Sequence, residues 1–164
     1  MNESKLNDYY QNIAQTVNEM IPEEWSKVIL YGEITEGTGT AFFFYRSNIN
    51  DTLIYSHDIP ELHSISRREY RDTWRRLIKV LKDLSDEFKN NNQEQWTNLT
   101  FTLESTGKFK VDYDYDDLSD ADDHERRVNW EYTRFGILPE SEYDKSILEE
   151  YLKSMTLTQW SLHC

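Results

Sequence analysis

Apolar residues recur along this 164-residue chain with two periods, and the changes from one to the other divide it into helices and strands. From Ser4 to Met20, Leu6, Tyr9 or Tyr10, Ile13, Val17 and Met20 return every three or four residues, and Pro22 stops the run. That spacing predicts an amphipathic helix. Trp25 to Thr35 and Thr40 to Arg46 are β-rich runs on either side of Glu36-Gly37-Thr38-Gly39, so a hairpin is expected there. In the second run Phe42-Phe43-Phe44-Tyr45 offers no polar alternate position. A central strand buried on both faces explains this best, with a buried helix as the competing reading of so short an apolar run. A weaker strand is expected at Asp51 to Tyr55.

The longest helical pattern begins at Ser66. Its hydroxyl can cap the first amides while Glu69, three residues on, completes a capping box, and Ile65 and Tyr70 stand where a hydrophobic staple would. Tyr70, Trp74, Leu77, Leu81, Leu84 and Phe88 then form one apolar stripe. The other side carries Arg67, Arg71, Arg75, Arg76, Lys79 and Lys82, and Asn90-Asn91-Asn92 ends the helix.

Between Gln95 and Asp123 the period becomes two. Leu99, Phe101 and Leu103 alternate with Asn98, Thr100 and Thr102. Beyond Ser105-Thr106-Gly107, the residues Phe109, Val111, Tyr113 and Tyr115 alternate with Lys108, Lys110, Asp112, Asp114 and Asp116. Two antiparallel strands with one apolar face follow, and the opposite face becomes a line of carboxylates. Asp117, Asp120, Asp122, Asp123 and Glu125 extend the charge. A helix is expected from Asp122 to Tyr132, a turn at Gly136, and a last helix led by Pro139 or Ser141 that buries Ile147, Leu148, Tyr151 and Leu152. The elements together describe an α+β fold: a single domain over 1–164, with an antiparallel sheet, an N-terminal helix, a long central helix, C-terminal helices and a loosely ordered tail at 155–164.

The net charge of −13 changes the functional picture more than the fold. Nucleic acid and anionic membranes both need a positive surface, so direct binding to either is not expected, and a basic protein partner is favoured. The aromatic content of 14% supports a folded core despite the low hydropathy. Cys164 is the sole cysteine, so no intramolecular disulfide forms. With no basic-then-apolar leader and no long apolar run, a cytoplasmic protein is expected.

Candidate chemistry is sparse. Asp112, Asp114 and Asp116 are spaced like the first ligands of a calcium loop, but Asp117 stands where such a loop needs Gly and Asp123 where it needs a bidentate Glu. Strand alternation explains the spacing without a metal. His57-Asp58 lacks the further His and Asp ligands that a metal phosphohydrolase would need. Neither a nucleophile elbow, nor a Gly-rich phosphate loop, nor a zinc cluster, nor a dinucleotide fingerprint occurs. No enzyme, metal or cofactor is expected. The basic side of the Ser66 helix, interspersed with Glu69, Asp72 and Asp83, reads as a solvated face.

Five stretches carry a family likeness: Met20-Ile21-Pro22-Glu23-Glu24-Trp25; Tyr31-Gly32-Glu33; Asp58-Ile59-Pro60; Ser105-Thr106-Gly107-Lys108-Phe109-Lys110-Val111; and Tyr132-Thr133-Arg134-Phe135-Gly136-Ile137-Leu138-Pro139-Glu140. In that order, over almost the whole length, they make the chain resemble the YezG/EsaG-like immunity proteins of Gram-positive bacteria. The resemblance implies an antitoxin that neutralises a nuclease toxin exported by type VII secretion. It implies no catalytic residues. A nuclease cleft holds phosphates with Lys and Arg, so fixed carboxylates can compete for it. The expected contact residues are Asp112, Asp114, Asp116, Asp117, Asp120, Asp122 and Asp123, with Tyr113, Tyr115 and Trp130 as aromatic anchors. The alternative is a calcium-stabilised or structural adaptor protein with an acidic loop.

Overall fold

In the computed structural model the chain is α+β, with a five-stranded antiparallel sheet in the order β3-β2-β1-β4-β5. The structure describes residues 1–36, 38–118 and 122–163, with Asp123 and residues 155–163 described as backbone only. The elements are α1 (Glu3–Met20), β1 (Trp25–Thr35), β2 (Thr38–Ser47), β3 (Leu53–Tyr55), a single 3-10 turn (Ser56–Asp58), α2 (Ile59–His63), α3 (Arg67–Asn90), β4 (Asn98–Glu104), β5 (Phe109–Asp114), α4 (Asp123–Phe135) and α5 (Glu142–His163). They fall into two compact units, 1–116 and 117–164.

The first unit contains the whole sheet. Register follows the apolar alternation, because a slip by one residue would turn every inward side chain outward. Leu30 pairs with Phe43 of β2 on one side and Phe101 of β4 on the other, and Val28 with Tyr45 and Leu103. That face packs on Ile13 and Val17 of α1 and on Leu77, Leu81 and Leu84 of α3, all essentially inaccessible. All four members of the Phe42–Tyr45 run are buried, so β2 is indeed covered on both faces. The α1 helix starts at Asn2, whose side chain accepts from the amides of Ser4 and Lys5. Ser66 caps α3 by accepting from the Glu69 amide at 3.0 Å.

Three details of the first unit differ from the sequence expectation. The third strand is only Leu53–Tyr55, and it leads into the short helical segment of the 3-10 turn and α2, which the apolar pattern did not announce. The α2 helix follows Asp58, carries Pro60 in its first turn and stops at Ser64, which is left-handed at φ 54°. The last strand ends at Asp114 instead of running through Tyr115 and Asp116. There the Asp114 carboxylate accepts from the Asp116 amide at 2.8 Å, a local turn that takes the chain out of the pleat and leaves Tyr115 44% exposed.

In the second unit Asp122 caps α4 by accepting from the His124 amide at 2.9 Å. Gly136, at φ 67°, closes that helix by donating its amide to the Tyr132 carbonyl at 2.8 Å. Glycine takes this left-handed position without the steric cost of a Cβ. Ser141, not Pro139, stands at the start of α5 and accepts from the Asp144 amide. Val128, Ile147 and Leu148 form a small core with Tyr132 and Tyr151, whereas Leu152 is 37% exposed.

Candidate functional site

The acidic strand lies at one edge of the sheet, where β5 follows β4 at the end of the strand order. Asp112 stands opposite Thr100 and Asp114 opposite Asn98, on the face away from α1 and α3. Asp112 keeps one weak ion pair, its Oδ1 lying 3.6 Å from Lys110 Nζ. Asp114, Asp116 and Asp117 are exposed. Charged residues on a sheet edge also discourage pairing with a foreign strand, so this face has a structural use whatever it binds.

Of the three aromatic residues singled out, Tyr113 points inward. Its ring packs on Phe88 and Trp96 at 5.1 and 5.9 Å, and its hydroxyl lies 2.6 Å from that of Tyr10. Burial, aided by that hydrogen bond, pushes its pKa well above the ordinary phenol value. Tyr115 is open to solvent. Trp130 is half-buried on α4, edge-on to Phe135 at 5.7 Å. Asp122 is exposed at the head of α4, Asp123 is that helix's first residue, and Asp120 lies outside the described residues.

Two clusters escape a reading of the sequence, because each joins residues from separate elements. In the first, the Glu23 carboxylate, 10% exposed, accepts from the Ser47 hydroxyl at 2.5 Å and the Tyr45 hydroxyl at 2.7 Å, and pairs with His63 Nε2 at 2.9 Å. Burial alone would raise its pKa. The bonds from Ser47, Tyr45 and His63 together outweigh burial and hold it below the ordinary value.

The second cluster surrounds a cavity of about 300 Å³ lined by His57, Arg67, Tyr70, Arg71, Trp74 and Arg75. His57 Nδ1 lies 2.9 Å from the Tyr70 hydroxyl, and the Trp74 indole donates to the Ala41 carbonyl at 2.8 Å. The sequence signal was present in the four-residue spacing of the arginines. What it lacked was the return of His57 to the same helix face.

In the second unit His124 Nε2 lies 2.6 Å from Asp144, and this hydrogen bond holds the Asp144 carboxyl below its usual range. Arg127 pairs with Glu131 at 3.1 Å, yet burial raises the Glu131 pKa. Among the described residues, no group of three or more His, Cys, Asp or Glu is placed to hold a metal ion. Nor is any helix of the described residues long and apolar enough to cross a membrane.

A family model described as "Immunity protein YezG-like" matches residues 6–149. The chain belongs to the YezG-like immunity protein family. Immunity protein YezG of Bacillus subtilis is 41% identical over 149 residues, covering 90% of this chain and 99% of that protein. The Bacillus spizizenii protein of the same name is 37% identical over 156 residues, covering 94% and 97%. Type VII secretion system protein EsaG of Staphylococcus aureus is 35% identical over 158 residues, covering 93% and 97%. The YezG-like family is one of immunity proteins, not of enzymes.

The stretches that carried the YezG-like resemblance have identifiable structural tasks. Met20 to Trp25 connects α1 to β1 and supplies Glu23. At Gly32 a Cβ would come within 2.9 Å of Leu81 Cδ1, so glycine lets α3 approach the sheet. Asp58-Ile59-Pro60 leads into α2, Ser105 to Val111 makes the β4–β5 turn with Gly107 at φ 95°, and Tyr132 to Glu140 contains the Gly136 cap. In this YezG-like chain those motifs build the scaffold.

Proposed function

We propose that this chain acts in the cytoplasm as an antitoxin for a nuclease exported by type VII secretion, binding it through the acidic face of β5 and the carboxylates that follow in sequence. Membership of an immunity family supports the protein partner, and the EsaG relative supports the link to type VII secretion. The observation that carries the choice of surface is the exposure of Asp114, Asp116 and Asp117 beside Asp112, on and just after an ordered strand. A nuclease must present cations to phosphates, and residues two apart on a strand set carboxylates about 7 Å apart, close to the spacing of successive phosphates. Tyr115, exposed and next to them in sequence, serves as an anchor, and Asp120, Asp122, Asp123 and Trp130 of the second unit contribute contacts of their own. Tyr113 acts from beneath, by holding the strand in place.

Co-expression with the toxin gene beside its own tests the reading. Growth should be rescued and a complex should co-purify. Replacing Asp112, Asp114, Asp116 and Asp117 by Asn should weaken that complex and reduce the salt dependence of its association rate, with the unfolding midpoint nearly unchanged. Equal affinity and equal salt dependence in the four-fold variant would move the interface elsewhere. A toxin without nuclease activity would overturn the substrate class.

A further inference from the structure

The cavity beside α3 is lined by three arginines, two of which have no carboxylate partner among the described residues. Arg67, Arg71 and Arg75 are spaced by four, so they stack along one helix face at roughly 6 Å intervals and repel one another. Arg67 alone has a carboxylate, Glu61 at 3.0 Å, and both side chains are about two-thirds or more exposed (66% and 74%), so that pair is exchangeable. Among the described residues the Arg71 and Arg75 side chains make no ion pair or hydrogen bond. Acids outnumber bases 31 to 18 in this chain, so two adjacent unpaired arginines are not a consequence of composition.

The walls are aromatic and fixed. Tyr70 is tied to His57, which meets it edge-on at 5.8 Å and 85°, and Trp74 is tied to Ala41, so neither ring needs to reorganise to receive a ligand. An inorganic anion would use the arginines and leave the rings unused. A neutral aromatic would do the reverse.

We propose that this cavity binds a nucleoside monophosphate, with its phosphate on Arg71 and Arg75, assisted by Arg67, and its base against Trp74 and Tyr70. Guanidinium forks match phosphate oxygens in pairs, and a base stacks on an aromatic ring regardless of its identity. About 300 Å³ is at the small end of ligand sites, which suits one nucleotide and not a dinucleotide. Longer strands are opposed by the net charge of −13, and higher phosphates by two carboxylates that act on the cavity's lining, Asp58 on Tyr70 and Glu61 on Arg67. This site is independent of the toxin surface proposed above.

Titration calorimetry of the full chain with AMP, GMP, CMP and UMP, against inorganic phosphate and adenosine alone, tests the assignment. The expected result is one saturable site at which at least one nucleotide binds about tenfold or more tighter than either fragment, a difference of about 1.4 kcal/mol. Arg71→Gln with Arg75→Gln should abolish that advantage while circular dichroism and the unfolding midpoint stay unchanged, both side chains being exposed. The Trp74 indole N–H resonance should shift on nucleotide addition in the native chain and not in the double variant. Nucleotides no tighter than phosphate would mean a general anion patch and overturn the proposal, as would an absence of heat with all four.

Discussion

The hydroxyls of Tyr10 and Tyr113 lie 2.6 Å apart, joining α1 to the edge strand β5 across 103 residues of chain. Both rings are half-buried, and each hydroxyl gives the other a partner where water is scarce. Tyr113→Phe should therefore cost about 1 kcal/mol, mostly by stranding the Tyr10 hydroxyl. The double change Tyr10→Phe with Tyr113→Phe should cost less than the sum of the two single changes. Urea unfolding of the four proteins gives the coupling directly, and additive losses would mean the two hydroxyls act separately.

Acid should weaken the fold through Glu23. Its folded pKa lies below the ordinary value of 4.5 because bonds from Ser47, Tyr45 and His63 favour the carboxylate over the acid despite burial. The unfolded chain therefore binds the proton more readily than the native state. The stabilisation is fully present above about pH 5 and is lost as pH falls through the unfolded value and then the folded one. Glu23→Gln should be destabilised at neutral pH and show a flatter stability profile between about pH 3 and 6. A variant profile parallel to the native one would remove Glu23 from the acid response.

Gly32 and Leu81 define how closely α3 lies on the sheet. Leu81 is fully buried, so its methyl group, 2.9 Å from where a Cβ would stand, has little room to retreat. Gly32→Ala should cost about 1–3 kcal/mol by overpacking. Adding Leu81→Val should recover part of that loss, because the smaller side chain vacates the contested space. A midpoint of urea unfolding unchanged by Gly32→Ala would show that the helix can shift at no cost.

The sequence by itself determined the elements whose signal is local. Leu77, Leu81 and Leu84 fix the buried side of α3, Ser66 its start, and Leu99, Phe101 and Leu103 the inward face of β4, because spacing of 3.6 or 2 residues depends only on neighbours along the chain. Membership of an immunity family was legible for the same reason, in short contiguous stretches. Tertiary structure decided what contiguous residues cannot encode. Tyr113 and Tyr115 share one alternation, yet the turn at Asp114 sends the first into the core and the second into solvent. Glu23 gains its partners from positions 45, 47 and 63, and the arginines of α3 gain a cavity only because the 3-10 turn brings His57 back to Tyr70. Such partners are chosen by packing across the sheet, where distance along the chain carries no information.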